Sequence, residues 1–329
     1  MYAHDEQGRP RTMDRVLRRV PLRQIRQIAC VIPILVIGLF VFQHWPVIAD
    51  GGHQLLGANP YWLLVAVTVT GLGWVAVSFT RQGTVLEPLP AGRLLATQFA
   101  AGAANHLLPS GLGAGAVNLR FLKRCGVPLG RSSAALALYL LAESVGRIFL
   151  LAVLLLAFPD ALRLDGLIPA GAVLPLAVTA GVVACAAVLV VAAVRPLRRI
   201  IRTFLTTALT DVRSLHTRPA RAFALWGGSL AFPALQAAAL VTVALALEMP
   251  VPVVHVAIAY LAASVAAAVI PTPGGLGSVD AALVVTLVTT GASVTLATSA
   301  VLGFRIITVW LPLVPGALVL GALVRWKVV

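Results

Sequence analysis

The chain has 329 residues, 60% of them hydrophobic and only 11% charged, with a mean hydropathy of +0.97. A soluble domain carries about a quarter charged residues, so the composition excludes a soluble globular enzyme and makes membrane topology the first question. The net charge of +14, from 23 Arg and 2 Lys against 11 acidic residues, would point to nucleic acid in a soluble protein; here topology accounts for it, and no nucleic-acid partner is expected.

Taken in chain order, the sequence begins with a basic, polar tail (1–26) with seven arginines between Arg9 and Arg26. No small-residue cleavage site follows the first apolar run, which is expected to be a retained span rather than a signal peptide. Apolar runs follow at 28–42, 60–79, 94–108, 133–158, 167–194, 222–247, 253–270, 279–291 and 294–324. If every run crossed the bilayer, the cluster Arg120, Lys123, Arg124 and Arg131 would face the outside, against the tendency of Lys and Arg to stay cytoplasmic.

Two breaks resolve the conflict. Asn105-His106-Leu107-Leu108-Pro109-Ser110-Gly111-Leu112-Gly113 interrupts the first region, and Pro271-Thr272-Pro273-Gly274-Gly275-Leu276-Gly277 the second. Proline and glycine at these positions stop a helix. Each break is expected to be the tip of a re-entrant helical hairpin, the first entering from inside and the second from outside. Of 25 Lys and Arg, all but Arg163, Arg147 and Arg305 then lie on the cytoplasmic side. The predicted fold is an all-α integral membrane protein with about six spanning helices, two re-entrant hairpins and cytoplasmic termini, in a bacterial-type inner membrane.

Both breaks carry the word P-x-G-L-G, placing Pro109, Gly111 and Gly113 in correspondence with Pro273, Gly275 and Gly277. Each sits within the order span, hairpin, span. Residues 27–329 therefore read as one polytopic membrane domain holding two repeats, about 60–158 and 222–324, of opposite orientation. Opposed repeats with Gly/Pro-interrupted segments are a signature of transporters, with the substrate site between them. Broken helices at membrane depth are tolerated only against protein or a water-filled cavity.

Ionisable groups inside a bilayer are costly and ask for a role. Glu143 and Arg147 lie one helical turn apart in the fourth run, Arg305 lies in the last, and Asp280 follows the second break. Two readings are open. Arg147 and Arg305 face a common cavity and hold an anionic head group, with Glu143 or Asp280 balancing the charge; or Glu143–Arg147 and Asp280–Arg305 are neutralising pairs that serve assembly. Asn105 either hydrogen-bonds unwound backbone or ligand, or caps the broken helix, and His106 is a polar group beside it. The break glycines offer either an anion-binding nest of N–H groups or a plain helix stop. Residues 195–221 read as a basic interfacial segment on anionic lipid. Cys30, Cys125 and Cys185 form no metal or disulfide pattern. No catalytic motif is present, so neither enzyme, metal nor cofactor is expected.

The sequence from Asn105 to Gly113, with the basic stretch and Glu143 beyond it, resembles the first characteristic region of the lysylphosphatidylglycerol synthase transmembrane-region family. Pro271 to Gly277, with Asp280, Arg305 and Trp310-Leu311-Pro312, is similar to the second. The resemblance covers roughly residues 25–324. It implies lipid translocation, as in the flippase half of the multiple-peptide-resistance proteins, by a stand-alone member without the synthase domain and hence without aminoacyl transfer. The chain departs from the family pattern at Ala114, where many members have an acidic residue, and at Ser144, where many have arginine. The expected function is movement of an anionic or aminoacylated phospholipid, or a related lipid-linked head group, between leaflets. A small-solute or proton-coupled carrier, and a non-catalytic partner of a lipid-modifying or glycosyl-transferring enzyme, are the alternatives.

Overall fold

A computed structural model describes residues 53–107, 113–159, 217–267 and 278–325. The basic tail, the runs 28–42 and 167–194, most of the segment 195–221, and both break tips except Gly113 lie outside the described residues. Those residues form α1 (Pro60–Gly83), α2 (Ala91–Leu107), α3 (Gly113–Arg124), α4 (Leu129–Ala157), α5 (Pro219–Ala246), α6 (Val253–Ala267), α7 (Ser278–Thr289), α8 (Val294–Arg305) and α9 (Leu311–Arg325). A π-helical turn, Ile306–Trp310, joins α8 to α9. No strand occurs among the described residues.

Helix length separates two kinds of element. The helices α1, α4 and α5 and the α8–α9 rod are long and apolar enough to cross a membrane. By contrast α2, α3, α6 and α7 have 17, 12, 15 and 12 residues. At about 1.5 Å per residue they reach roughly 18–26 Å, short of a hydrocarbon layer of about 30 Å. The order is therefore long, short, short, long, twice over. The helix boundaries 91–107 and 113–124 flank the first predicted break, and 253–267 and 278–289 the second.

The first pair of short helices is an antiparallel hairpin. Near its tip a β-carbon on Gly113 would sit 2.1 Å from the Ala104 carbonyl oxygen, so only glycine allows the approach. Farther down, Gln98 Nε2 donates to Asn118 Oδ1 at 3.0 Å, and Leu94 packs with Phe121 and Leu122. The helices α6 and α7 likewise pack on each other. Both hairpins pass to the next long helix through the same stop. Gly126 (φ 85°) lets Val127 N–H reach Leu122 O, and Gly291 (φ 106°) lets Ala292 N–H reach Leu287 O. In both, a glycine in the left-handed region satisfies the last carbonyls of the helix.

The longest seam joins α1 and α5, which run antiparallel from end to end. Asn59 N–H donates to Ala246 O at one end (2.9 Å), and Arg221 donates to Gln82 O and Leu86 O at the other (2.9 and 3.2 Å). Between them Gly228 presses on α1, where a β-carbon would lie 2.3 Å from Thr80 Oγ1 and 2.8 Å from the Ala76 carbonyl. Small residues allow such contact in an apolar setting where packing, not hydrophobic exclusion, joins helices. Half of the apolar stretch of α5 is buried, against 11% for α4, so α5 is central. The outer face of α4 presents Leu141, Ile148, Phe149 and Leu156, all more than half exposed, a surface suited to lipid.

The remaining contacts are reciprocal. The long helix after the first hairpin, α4, packs on α5 and α6, while the rod after the second packs on α2 through α9 and on α1 through the π turn. Gly228→Val is expected to split the α1–α5 seam at a cost of about 1–3 kcal/mol, seen as a lower melting temperature of the detergent-solubilised protein.

Candidate functional site: two membrane-embedded ion pairs

Tyr139, Glu143 and Arg147 recur every fourth residue along α4 and share its inner face with buried Ala142 and Gly146. Arg147 Nη2 donates to Glu143 Oε1 at 2.7 Å, with side-chain exposures of 22% and 18%. Tyr139 lies one turn away on the same face, within reach of the charge of that carboxylate. The face is held inward by Gly146, where a β-carbon would come within 2.5 Å of the Ser229 carbonyl oxygen on α5. That carbonyl lies four residues before Pro233, inside α5, so proline has removed its helical N–H partner. The α-carbon of Gly146 takes up the vacated place, and the side chains on either side of it are aimed by that contact.

The second pair joins Arg305 Nε to Asp280 Oδ1 across α8 and α7. Asp280 lies in the first turn of its helix, where the helix dipole favours negative charge. Arg305 ends α8, and the π turn begins at the next residue. Such turns widen a helix locally and recur at functional sites.

The two pairs belong to one electrostatic cluster. Tyr260, buried on α6, lies within reach of the charges of Arg147, Glu143 and Arg305. Its ring meets Phe304 edge-on at 5.6 Å. His106, at the end of α2, senses Arg305, and its Nδ1 is buried without a partner among the described residues. Arg305 therefore stands where both hairpins meet the rod. Asn105 is partly buried beside His106, and both of its readings turn on the break residues 108–112, outside the described residues.

Of the residues singled out in sequence, Glu143, Arg147, Asp280 and Arg305 are thus brought together as pairs. Gly113 serves helix packing, with the Ala104 carbonyl where a side chain would stand. Pro109, Gly111, Pro273, Gly275 and Gly277 lie outside the described residues. Of the two departures from the family pattern, Ala114 packs in a small cluster with Ala100, Ala101 and Ala104. Ser144 is exposed on the outer face of α4 and bonds back to Leu140 O. Cys125 is free, and no cluster of potential metal ligands occurs among the described residues.

Three participants escaped sequence reasoning: Arg81, Tyr139 and Tyr260. Arg81 follows the apolar run 60–79 and was not singled out, yet it lies in the last turn of α1, 8% exposed. Its guanidinium carbon stands 3.5 Å from the centroid of the Tyr139 ring. The four-residue rhythm of Tyr139, Glu143 and Arg147 was a readable sign for Tyr139. A separate surface cavity of about 650 Å³ on α3, lined by Arg120, Lys123 and Arg124 with Ala116, Leu119 and Leu129, includes none of the ion-pair residues.

A family model described as the lysylphosphatidylglycerol synthase TM region matches residues 28–316. The chain belongs to this family. No curated protein matches it. The match spans both hairpins and both ion pairs, and with four membrane-length helices among the described residues it makes the chain a multi-pass membrane protein of a family associated with lipid modification or flipping.

The pairing makes a prediction about charge balance. Glu143→Gln leaves Arg147 uncompensated and is expected to cost about 1–3 kcal/mol, whereas the double change Glu143→Gln with Arg147→Gln is expected to cost less than the single one. Thermal unfolding of the wild type and these two variants in one detergent reads the difference directly.

Proposed function

We propose that the protein moves an anionic or aminoacylated phospholipid, or a related lipid-linked head group, between the leaflets of the bacterial inner membrane. It acts as a transporter and not as a catalyst. One observation carries the reading: each hairpin is followed by a long helix whose arginine is paired with a carboxylate, Arg147 with Glu143 on α4 and Arg305 of α8 with Asp280 of α7.

The arrangement of units supports it. Both units have the same order of long and short helices, and their leading helices α1 and α5 run antiparallel, which favours opposite orientations across the membrane. With runs 28–42 and 167–194 as two further spans, this gives six spans and two opposed hairpins with cytoplasmic termini. Opposed hairpins offer a head group one entrance from each side, with a site between them near the midplane.

The pairs suit the task. Each pair is close to neutral, so Arg147 and Arg305 avoid the cost of a lone buried charge, about 2.5–3.5 kcal/mol on insertion scales. A phosphate can then compete with Glu143 or Asp280 for the planar fork of arginine, which matches phosphate geometry. Neither arginine holds the anion so firmly that it cannot leave, because the carboxylate returns.

In proteoliposomes with fluorescent phosphatidylglycerol, the wild-type protein is expected to exchange lipid between leaflets well above empty vesicles. Arg147→Ala and Arg305→Ala are each expected to lower the rate at least tenfold while still inserting. Wild-type rates in both variants would overturn the arginine mechanism.

A further inference from the structure

Arg81 is a buried cation whose charge nothing nearby fully answers. It is 8% exposed, and it has neither an ion pair nor a hydrogen bond among the described residues. Its Nε is buried without a partner. Its contact is the face of Tyr139. A cation over a ring recovers only part of the hydration that a guanidinium gives up on burial. The carboxylate that acts on it is Glu143, and that group is already engaged by Arg147.

The charges of the cluster do not balance. Around Glu143, Arg81 and Arg147 bring two positive charges against one carboxylate, which leaves one positive charge. A phosphodiester carries one negative charge and presents two free oxygens to a guanidinium edge. Position adds to the argument. Arg81 lies two residues before the end of α1, a helix long enough to cross a membrane, and the carbonyl of Gln82 there is capped by Arg221. Tyr139 precedes Arg147 by eight residues on α4, about 12 Å along the helix.

We propose that Arg81, backed by Tyr139, is a binding site for a phosphate monoanion, the head-group phosphate of an anionic phospholipid, at the membrane-surface end of the path to Arg147. The identity of the cargo rests on the translocation reading; the anion site does not. An anion at Arg81 neutralises the cluster and leaves the Glu143–Arg147 pair closed. Advance of the head group toward Arg147 requires that pair to open, so Arg81 loads and Arg147 receives.

The test uses the full chain in a neutral detergent, with thermal unfolding followed against phosphatidylglycerol, phosphatidylcholine and sodium phosphate. Wild-type protein is expected to be stabilised by phosphatidylglycerol more than by phosphatidylcholine. Arg81→Gln is expected to weaken the apparent affinity for phosphatidylglycerol about tenfold, with Arg81→Lys between the two and the exposed control Arg218→Gln unchanged. Because the substitution removes an unanswered buried charge, lipid-free Arg81→Gln is expected to melt at or above wild type. Stabilisation by phosphatidylglycerol alone identifies a lipid head group, and stabilisation by sodium phosphate as well identifies free phosphate. Unchanged affinity in Arg81→Gln overturns the proposal. So does a lipid-free variant that melts well below wild type or fails to fold, since that assigns Arg81 to the scaffold. Binding that depends on Arg81 in a protein without leaflet exchange removes the translocation reading and leaves the site.

Discussion

Hydrocarbon offers no hydrogen bonds, and a helix of 12 residues is too short to cross it. A chain that places such helices in a membrane must turn them back and cover their ends with protein. Both hairpins answer that demand in the same way. The first closes on itself through Gly113 and Ala104 and is covered by α9; the second packs α6 on α7 and is covered by α4. Each hairpin is thus sheltered by the long helix that follows the other one. That exchange is possible because the α1–α5 seam fixes the two halves against each other along its whole length, with Gly228 at its closest approach.

The same packing sets the charges. Pro233 frees the Ser229 carbonyl, Gly146 closes on it, and the turn of α4 carrying Glu143 and Arg147 is fixed facing inward. On the other side, the π turn after Arg305 rephases the rod at the point where Asp280 enters from α7. Each arginine meets its carboxylate within the protein rather than in lipid. The result is a polar seam inside an apolar bundle whose outer face, on α4, is aliphatic and aromatic.

Much of this was legible in the sequence because the signals are local. Helix lengths, the Gly/Pro words and the arginine bias are all read within a few residues, and they located both hairpins and all four paired charges. Glu143–Arg147 follows from helical spacing alone. Asp280–Arg305, 25 residues apart, was one of two readings, and hydropathy had no means to choose between them. Arg81 was not singled out because it follows the apolar run 60–79 as one more arginine of the cytoplasmic side; the Tyr139 ring of α4 lies against it. Tyr260 lies in an almost wholly apolar run and acquires its neighbours through tertiary packing. The π turn leaves no local mark that was recognised: Ile306 to Trp310 reads as ordinary helix.

The claim on which the account turns is that the two hairpins open to opposite sides. It is tested by single cysteines in a background with Cys30, Cys125 and Cys185 replaced by serine. Gly92→Cys lies at the mouth of the first hairpin, where a side chain meets nothing within 4 Å, and Val253→Cys at the mouth of the second, 45% exposed. A membrane-impermeant maleimide applied to right-side-out and inside-out vesicles should label Gly92→Cys from the cytoplasmic side only and Val253→Cys from the outer side only. Labelling of both from the same side would contradict the opposed arrangement and with it the path proposed for the head group.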